Sequence, residues 1–350
     1  MSAKIGVVFN PNSKKNRRDP SRRQRLEVIV GDTGEVFRTQ HVDAIADVVH
    51  HLLDEQVPYW VADGGDGAYH WLVNVAAQVV RARGKDERVP PILPTKSGTI
   101  DFLARKVELE GNAESLLKTL VERVNAGQEL QSIEVDTLRL QGKFAAASEQ
   151  PGVHFDRIGF AAAIAGVGQR FFDKFYANGN LGALGVLETV GRVIGSAATR
   201  TFPLRYIPMP TSVRTYADSV FQPALLDVTV DGVPLEGHEF RAINAGAIDI
   251  NLARLFRLFP LAAERGAMHL ILGNPQLMEV IRLLPLMARG ASLADAGLKE
   301  VAARSLTVRA QSGTLDPVID GELFYGLEEV DVSLGPPISI LTVREAESVI

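Results

Sequence analysis

The stretch that decides the fold is Trp60–His70, which reads WVADGGDGAYH. An apolar run ends there in Gly-Gly-Asp-Gly, and the residues that follow have the composition of a helix. Glycines have no Cβ, so their backbone N–H groups can close on an anion, and the N-terminus of the next helix adds a partial positive charge. Asp66, in the middle of the turn, can hold a metal ion or a hydroxyl proton. The stretch therefore predicts a phosphate-binding turn that suits a nucleotide better than a neutral metabolite.

The bulk composition sets the class of protein. A chain of 350 residues is long for one hydrophobic core, so two domains are expected. The formal net charge of −5 argues against a general nucleic-acid-binding protein, because such domains usually carry a basic surplus. The chain has no cysteine, which excludes disulfides, thiolate catalysis and Cys-ligated zinc.

The apolar segments are short. The apolar run in Met1–Asn10 is too short for a signal peptide, and no uninterrupted apolar stretch reaches the roughly 18 residues that a membrane-spanning helix needs. We expect a cytoplasmic protein, peripheral to the inner face of the membrane at most. The segment Asn251–Pro260, where two arginines stand among apolar residues, fits a transient contact with an anionic membrane surface or a buried core helix, and the buried helix is the expectation.

Up to about residue 130, strand-like and helix-like segments alternate. The expected strands are Ile5–Phe9, Val36–Thr39, Tyr59–Ala62 and Pro91–Leu93, and the expected helices are Ser21–Val30, Asp43–Asp54, Tyr69–Ala82 and Ala113–Asn125. This alternation predicts a mostly parallel sheet covered on both faces, with ligands at the C-terminal ends of the strands. The loops that begin at Asn10, Gly64 and Thr95 would gather at that edge. Residues 1–130 are therefore expected to form a nucleotide-binding α/β domain.

Beyond residue 130, short β-rich segments with turn signals between them predict antiparallel hairpins in a sandwich-like domain over residues 131–350. Its last expected strand is Ile338–Val343. Three helices are expected to interrupt the domain, at Ala163–Tyr176, Leu184–Ala198 and Gln276–Met287. No fixed-period repeat is present, and a strict Walker A motif is missing.

Three further motifs each have a simple structural explanation. Asn10–Arg18 combines small polar residues with four cations, which could grip phosphate oxygens or form a solvated surface turn. Pro94–Arg105 has a strand, a polar turn and a helix, with Thr99 as a candidate N-cap. Ile319–Leu323 places two acids across a glycine, and Asp-Gly is common in hairpin turns.

The order and spacing of these motifs resemble the diacylglycerol kinase catalytic-domain family, which includes bacterial diacylglycerol kinases, sphingosine kinases and ceramide kinases. The matching residues are Asn10-Pro11-x-Ser13, Gly64-Gly65-Asp66-Gly67 with Asn74, Gly98-Thr99-x-Asp101-x-Leu103-Ala104-Arg105, Ile158–Ala162 and Asp320-Gly321-Glu322. The resemblance covers nearly the whole chain. It implies a phosphofructokinase-like α/β domain, a C-terminal β-sandwich, and an active site in the cleft between them.

The resemblance also implies the site residues. The cofactors would be ATP and Mg²⁺, and the acceptor a lipid or lipid-like hydroxyl of the diacylglycerol or sphingoid type. Asp66, Asp320 and Glu322 would be the catalytic residues, and Asp66 would also hold the metal. The nucleotide-binding residues would be Asn10, Ser13, Lys14, Thr39, Gly64, Gly65, Asp66, Gly67, Gly98 and Thr99. A homodimer is a further expectation left open.

The chain departs from the family pattern at several places. Ala68 stands where the family has a threonine, Trp71 where a glutamate is common, and Asp101 where an asparagine is common. Lys14 replaces a glycine, and two extra residues lie between Pro94 and Gly98. A carboxylate near phosphates adds repulsion unless Lys96 or a metal compensates.

Three alternatives stay open beside the lipid kinase. They are a non-catalytic nucleotide- or lipid-binding protein with the same fold, a NAD-kinase-like enzyme, and a kinase of a soluble polyol. In the kinase hypothesis, Glu322 orients the acceptor alcohol and accepts its proton late, and Asp66 binds on the metal and phosphate side. A direct role of Asp66 as the base stays open.

Overall fold

The structure, a computed structural model, describes residues 4–84, 88–98, 100–179, 183–199, 204–252, 256–287 and 297–343. The chain divides into two compact units. The first comprises Met1–Val135 with Pro337–Ile350, and the second comprises Asp136–Pro336.

The first unit is an α/β structure with one six-stranded sheet. Its strands are β1 (Ile5–Phe9), β2 (Gly34–Arg38), β3 (Tyr59–Asp63), β4 (Ile92–Pro94), β5 (Ser132–Val135) and the C-terminal strand (Ile338–Leu341). Its helices are α1 (Lys14–Arg18), α2 (Arg22–Val30), α3 (Val42–Asp54), α4 (Asp66–Arg83), α5 (Phe102–Lys106) and α6 (Ala113–Asn125). The strand order is β2-β1-β3-β4, the C-terminal strand, then β5, and every pair is parallel except the last.

Local sequence explains these elements. All five residues of β1 are buried, as expected for a central parallel strand covered on both faces. Helix α3 buries Ile45, Val49 and Leu52, which share one helical face. Helix α6 begins with a capping box, in which the Asn112 side chain accepts from the N–H of Ser115 and the Ser115 hydroxyl accepts from the N–H of Asn112.

The C-terminal strand belongs to the sheet of the first unit. Ile340 pairs with Ile92 of β4 in parallel, and residues Ile338–Leu341 pair antiparallel with β5. From its sequence this strand was expected among those of the second domain. The strand joins the first unit because Ile338, Ile340 and Leu341 bury their side chains there. It does so although about 200 residues of chain separate it from β5.

Among its described residues, the second unit contains two large antiparallel sheets and a two-stranded one, β13-β14. Its strands are β6 (Leu138–Phe144), β7 (His154–Gly159), β8 (Ala161–Gly166), β9 (Ala224–Val230), β10 (Val233–Pro234), β11 (Glu239–Phe240), β12 (Ala242–Gly246), β13 (Ile250–Leu252), β14 (Phe256–Leu258), β15 (Met268–Gly273), β16 (Leu298–Ala303), β17 (Ser305–Ala310), β18 (Val318–Ile319), β19 (Glu322–Leu323) and β20 (Leu327–Leu334). One large sheet has the order β10-β9-β17-β20-β6-β7, with β11 also on β9, and the other large sheet has the order β16-β15-β12-β8-β18-β19. Its helices are α7 (Val167–Ala177), α8 (Ala183–Ala198), α9 (Thr211–Arg214), α10 (Tyr216–Phe221) and α11 (Leu277–Met287).

Two local expectations were wrong. Residues Ala161–Gly166 form β8, so the helix expected from Ala163 begins only at Val167. The segment expected as a buried helix at Asn251–Pro260 instead contributes to a hairpin in which β13 pairs with β14, while residues 253–255 lie outside the described residues. Arg257 forms an ion pair with Asp249 (Nη2 to Oδ2, 2.8 Å), a contact that the antiparallel pairing allows.

The α/β plus β fold class expected from the sequence is confirmed. The first unit is α/β with a mostly parallel sheet, and the second is β-rich with helical insertions. Within the described residues, no helix combines the length and apolar character needed to cross a bilayer. An active site in a cleft between the domains stays a prediction.

Candidate functional site

Several of the predicted nucleotide-binding residues in the first unit follow the carboxyl ends of adjacent parallel strands. The N–H of Asn10, just after β1, donates to the carbonyl of Asp63 at 2.9 Å. The N–H of Thr39, just after β2, donates to the carbonyl of Phe9 at 3.0 Å. The N–H of Gly64, just after β3, donates to Oγ1 of Thr95 at 3.3 Å. The structure thus brings the loops after β1, β2, β3 and β4 together at one edge of the sheet.

Two glycines from different motifs touch through their backbones. A Cβ built on Gly65 would lie 2.6 Å from Cα of Gly98, and one built on Gly98 would lie 2.3 Å from Cα of Gly65. Real Cβ atoms do not come so close to backbone, so both positions require glycine. Gly64 is equally constrained, because its Cβ would meet that of Ala68 at 2.3 Å. The turn after β3 and the turn after β4 therefore form one continuous backbone surface.

Asp66 is the first residue of α4, and Gly65 is its N-cap. The four N–H groups at the start of a helix have no partner within the helix, and the helix dipole favours negative charge there. The N–H of Leu103 approaches Oδ1 of Asp66 at 3.4 Å, which is long for a hydrogen bond. Asp66 and Gly67 thus stand at an 18-residue helix N-terminus of the kind that binds anions.

Asp101 occupies an unusual place beside this turn. Its backbone is left-handed (φ 51°, ψ 46°), it is the N-cap of α5, and its Oδ1 accepts from the N–H of Gly98 at 2.9 Å. Burial raises the pKa of Asp101, against the opposing effects of the Gly98 N–H and of Lys15, Arg105 and Lys96. The carboxylate of Asp101, which was expected near phosphates, therefore lies among three cations.

Cationic side chains surround the turns. The segment Lys14–Arg18, expected as a basic loop, is the short helix α1, and Ser13 is its N-cap. Lys15 Nζ donates to the carbonyl of Lys96, and Lys96 Nζ donates to the carbonyl of Leu109. The first contact connects the basic segment to the third motif, and both lysines lie close enough to Asp101 to favour its charged form.

Sequence reasoning missed Asp63. This residue ends β3 with no exposed surface, and its carboxylate accepts hydrogen bonds from Asn16, Arg22, Thr95 and Ser97. The signal was an acid at the end of an otherwise apolar strand, next to the glycines. A buried acid needs partners, so it indicates a polar network around it.

Two other motif residues have structural contacts. His70 is buried against Trp71, with ring centroids 5.6 Å apart and perpendicular planes. Asn74 is also buried, and its Nδ2 donates to the carbonyl of His70 at 2.9 Å. Both residues pack within α4. Thr99 lies outside the described residues.

The acidic motif of the second unit is a two-residue hairpin. Ile319 of β18 pairs with Glu322 of β19, and the turn residues Asp320 (φ 52°) and Gly321 (φ 90°) both have positive φ. Such values are typical of a type I′ turn, and Asp-Gly is a preferred sequence for it. The hairpin turn that the sequence Asp320-Gly321 allowed is therefore the observed backbone conformation.

Both turn residues are fastened to neighbouring elements. Oδ1 of Asp320 accepts from the N–H groups of Phe160 and Ala161 at 2.8 and 3.0 Å, at the junction of β7 and β8. The hydroxyl of Tyr176 on α7 donates to the carbonyl of Gly321 at 2.5 Å. The hairpin thus holds Glu322 at a defined place, and the segment Ile158–Ala162 singled out in the sequence is the support for it.

No metal cluster is evident in the part of the chain that the structure describes. Within it, no three Asp, Glu, His or Cys side chains are grouped so as to hold a metal ion. A cation at Asp66 would therefore need further oxygen ligands, and Mg²⁺ commonly takes them from water and from substrate phosphates.

Comparisons with known proteins agree with this architecture. Residues 4–132 match the diacylglycerol kinase catalytic domain family, which confirms the resemblance. A crystal structure of a diacylglycerol kinase from Bacillus anthracis strain Sterne is 12% identical, with a TM-score of 0.57, and the alignment covers 99% of this chain and 98% of that one. Yeast NADH kinase in complex with NADH is 11% identical, with a TM-score of 0.50 and coverages of 99% and 85%. No curated protein sequence matches the chain.

The two kinds of comparison have different weight. Identities of 11–12% establish a shared fold. The family match covers the residues that carry the Gly64–Gly67 turn, Gly98 and Asp101. Together they support a kinase-type function for this chain.

Proposed function

We propose that the protein is an ATP- and Mg²⁺-dependent kinase that transfers the γ-phosphate to a hydroxyl of a lipid or lipid-like acceptor. The observation that carries the proposal is the backbone contact between Gly65 and Gly98 at the N-terminus of α4. It lies where parallel strands end, and within the residues that match the diacylglycerol kinase catalytic domain family.

The nucleotide would bind at the paired glycine turns. N–H groups at the start of α4 would donate to phosphate oxygens, and the cations near Asp101 would offset charge. Asn10 and Thr39 would line the neighbouring strand ends. Phosphoryl transfer depends mainly on in-line positioning and charge neutralisation, so this arrangement would supply most of the rate.

Mg²⁺, when bound, would neutralise charge on the phosphates. Asp66 would be the carboxylate for it, because it stands in the first turn of α4, directly after the glycine turn. Carboxylate oxygen is a ligand type that Mg²⁺ prefers.

On the acceptor side, we assign different roles to the two acids of the hairpin. Asp320 would act as a positioning residue, because its Oδ1 accepts two backbone hydrogen bonds. Glu322 would orient the acceptor hydroxyl and accept its proton, a contribution of about 10²–10⁴-fold in typical enzymes. The lipid nature of the acceptor rests on the family that residues 4–132 match.

The test is transfer of label from γ-labelled ATP. Purified protein is incubated with Mg²⁺ and separate acceptors: diacylglycerol, a sphingoid base, a soluble polyol and NADH. We expect a labelled lipid that disappears when Mg²⁺ is chelated and in the Asp66→Asn and Glu322→Gln variants.

Other outcomes would revise the proposal in defined ways. Label only in NADH or in the polyol would retain the kinase and replace the acceptor. Tight ATP binding with no transfer to any acceptor would favour a non-catalytic nucleotide-binding protein and overturn the kinase proposal.

A further inference from the structure

Asp63 is the centre of a buried polar network in the first unit. Its Oδ1 accepts from Thr95 Oγ1 at 2.8 Å, Ser97 Oγ at 2.9 Å and Arg22 Nη2 at 3.1 Å. Its Oδ2 accepts from Asn16 Nδ2 at 3.0 Å. Thr95, Ser97, Arg22 and Asn16 are all buried as well. The carboxylate is thus surrounded by donors and paired with one buried cation.

The four donors come from three different segments. Asn16 lies on α1, Arg22 is the first residue of α2, and Thr95 and Ser97 follow β4. These segments carry or flank the basic motif and the Pro94–Arg105 motif. One carboxylate therefore fastens the segments after β1 and β4 to the end of β3.

The network continues into the glycine turn. Gly64 donates its N–H to Thr95 Oγ1, the same hydroxyl that donates to Asp63, and the carbonyl of Gly64 accepts from the N–H of Ser97 at 3.1 Å. Arg22 also donates to Ser97 Oγ. Ser97 lies between Pro94 and Gly98, where the chain is two residues longer than the family pattern. The hydrogen bonds of the network hold this longer segment in place.

A buried ion pair is poor evidence of stabilisation, because well-packed apolar residues of the same volume often serve as well or better. The Asp63–Arg22 pair is therefore better explained by geometry. Asp63 has no exposed surface, so it cannot touch a ligand itself. Any effect on a ligand has to act through the position of Gly64 and the residues after it.

We propose that Asp63 is a positioning residue for the nucleotide, and that Arg22 and Ser97 act with it. The network holds the Gly65 turn against the Gly98 turn, and so sets the spacing of the N–H groups that would meet the phosphates. The inference rests on the proposed function, since the ligand in question is ATP.

The test compares Asp63→Asn with Asp156→Asn. Asp156 forms a half-buried ion pair with Arg139 (2.7 Å) in the second unit, so its variant controls for loss of an ion pair as such. Both proteins are assayed for ATP binding by calorimetry, for the KM of ATP and of the acceptor, and for Tm. We expect the Kd and KM of ATP to rise about tenfold in Asp63→Asn only, with the acceptor KM unchanged.

Two further variants separate position from stability. The double variant Asp63→Asn with Arg22→Met leaves no charged side chain in this network. Its Tm should therefore recover relative to Asp63→Asn, while the KM of ATP stays high. Ser97→Ala removes a single hydroxyl, so it keeps the proposal testable should Asp63→Asn fail to fold. It should raise the KM of ATP by about two- to fivefold with little change in Tm.

The outcomes distinguish the two proposals. A wild-type protein that binds ATP, with unchanged ATP affinity in Asp63→Asn and Ser97→Ala, would overturn the positioning role alone. An ATP KM that rises equally in Asp156→Asn at matched loss of Tm would do the same. A wild-type protein that binds no ATP would overturn the proposed function, and the positioning role with it.

Discussion

Two of the turns in which an acid adjoins glycine, the turn after β3 and the β18–β19 hairpin, are built in opposite ways. In the turn after β3, glycines make the close contact: Gly65 lies against Gly98, and Asp66 begins a long helix. In the β18–β19 hairpin, the acid itself adopts positive φ, and Oδ1 of Asp320 accepts two backbone N–H groups.

The difference shows that an aspartate beside glycine can have either of two roles, depending on what its carboxylate contacts. An aspartate whose carboxylate accepts two backbone hydrogen bonds from another segment fixes its turn to that segment, whereas one at a helix N-terminus stands where charge on a ligand is favoured. We therefore propose that Asp66 and Glu322 take part in the chemistry and that Asp320 supports the hairpin. The predictions below test that division.

The largest effect is expected for Asp66→Asn. Loss of this charge should lower kcat by about 10³-fold, since it would remove the proposed metal ligand. Asp43→Asn is the matched control, because Asp43 is also an acid in the first turn of a helix, and its variant should keep wild-type kcat. Steady-state kinetics at saturating ATP measure both. Equal activity of the two variants would remove Asp66 from the proposed site.

The hairpin acids should differ from each other. Glu322→Gln should lower kcat by about 10²-fold or more, because the amide cannot accept the hydroxyl proton. Asp320→Asn keeps an oxygen for the N–H groups of Phe160 and Ala161, so its kcat should fall less than about tenfold. A larger loss in Asp320→Asn than in Glu322→Gln, measured under the same conditions, would reverse the roles assigned to them.

The glycine contact should be sensitive to one methyl group. Gly98→Ala would place a Cβ within 2.3 Å of the Cα of Gly65, so the free energy of unfolding should fall by about 1–3 kcal/mol. Denaturant titration measures this change. Gly191→Ala is the control, because nothing lies within 4 Å of its Cβ and it is helical, so it should be neutral or stabilising. Equal stability of the two variants would contradict the close packing of the turns.

The smallest effect is the pH dependence of Asp101. Burial raises the pKa of its carboxyl, so the folded state binds the proton more readily than the unfolded state. Its favourable contribution to stability is complete below the ordinary carboxyl pKa of about 4 and is lost as pH rises through the folded-state pKa. Asp101→Asn should therefore unfold at a higher denaturant concentration than wild type at pH 7, and the gap should close towards pH 3. A gap that does not depend on pH would contradict the burial effect.

Sequence predicted the first unit well because its signals are local. The apolar runs of β1 and β3, the amphipathic α3 and the Asn112 cap of α6 are each set by neighbouring residues. The Gly64–Gly67 turn was identified for the same reason.

What the sequence could not predict depends on distant partners. Asp63 follows the expected strand Tyr59–Ala62 and had no predicted role, because the donors that satisfy it come from three other segments. The β13–β14 hairpin was missed because its apolar residues and arginines also suit a helix, and only pairing decides between the two. Asp320 matched a family motif, but its bonds to Phe160 and Ala161 span about 160 residues.

The C-terminal strand has a consequence for the order of assembly during synthesis. Residues Ile338–Leu341 lie between β4 and β5 and follow the whole second unit in sequence, so the central sheet of the first unit is incomplete until they leave the ribosome. Until then β4 has an unpaired edge beside the proposed nucleotide turns, and exposed edges are prone to aggregation. A fragment ending at Val135 would keep that edge permanently. The second unit, by contrast, is a continuous stretch of chain. It could therefore fold before the strand Ile338–Leu341 has joined the sheet of the first unit.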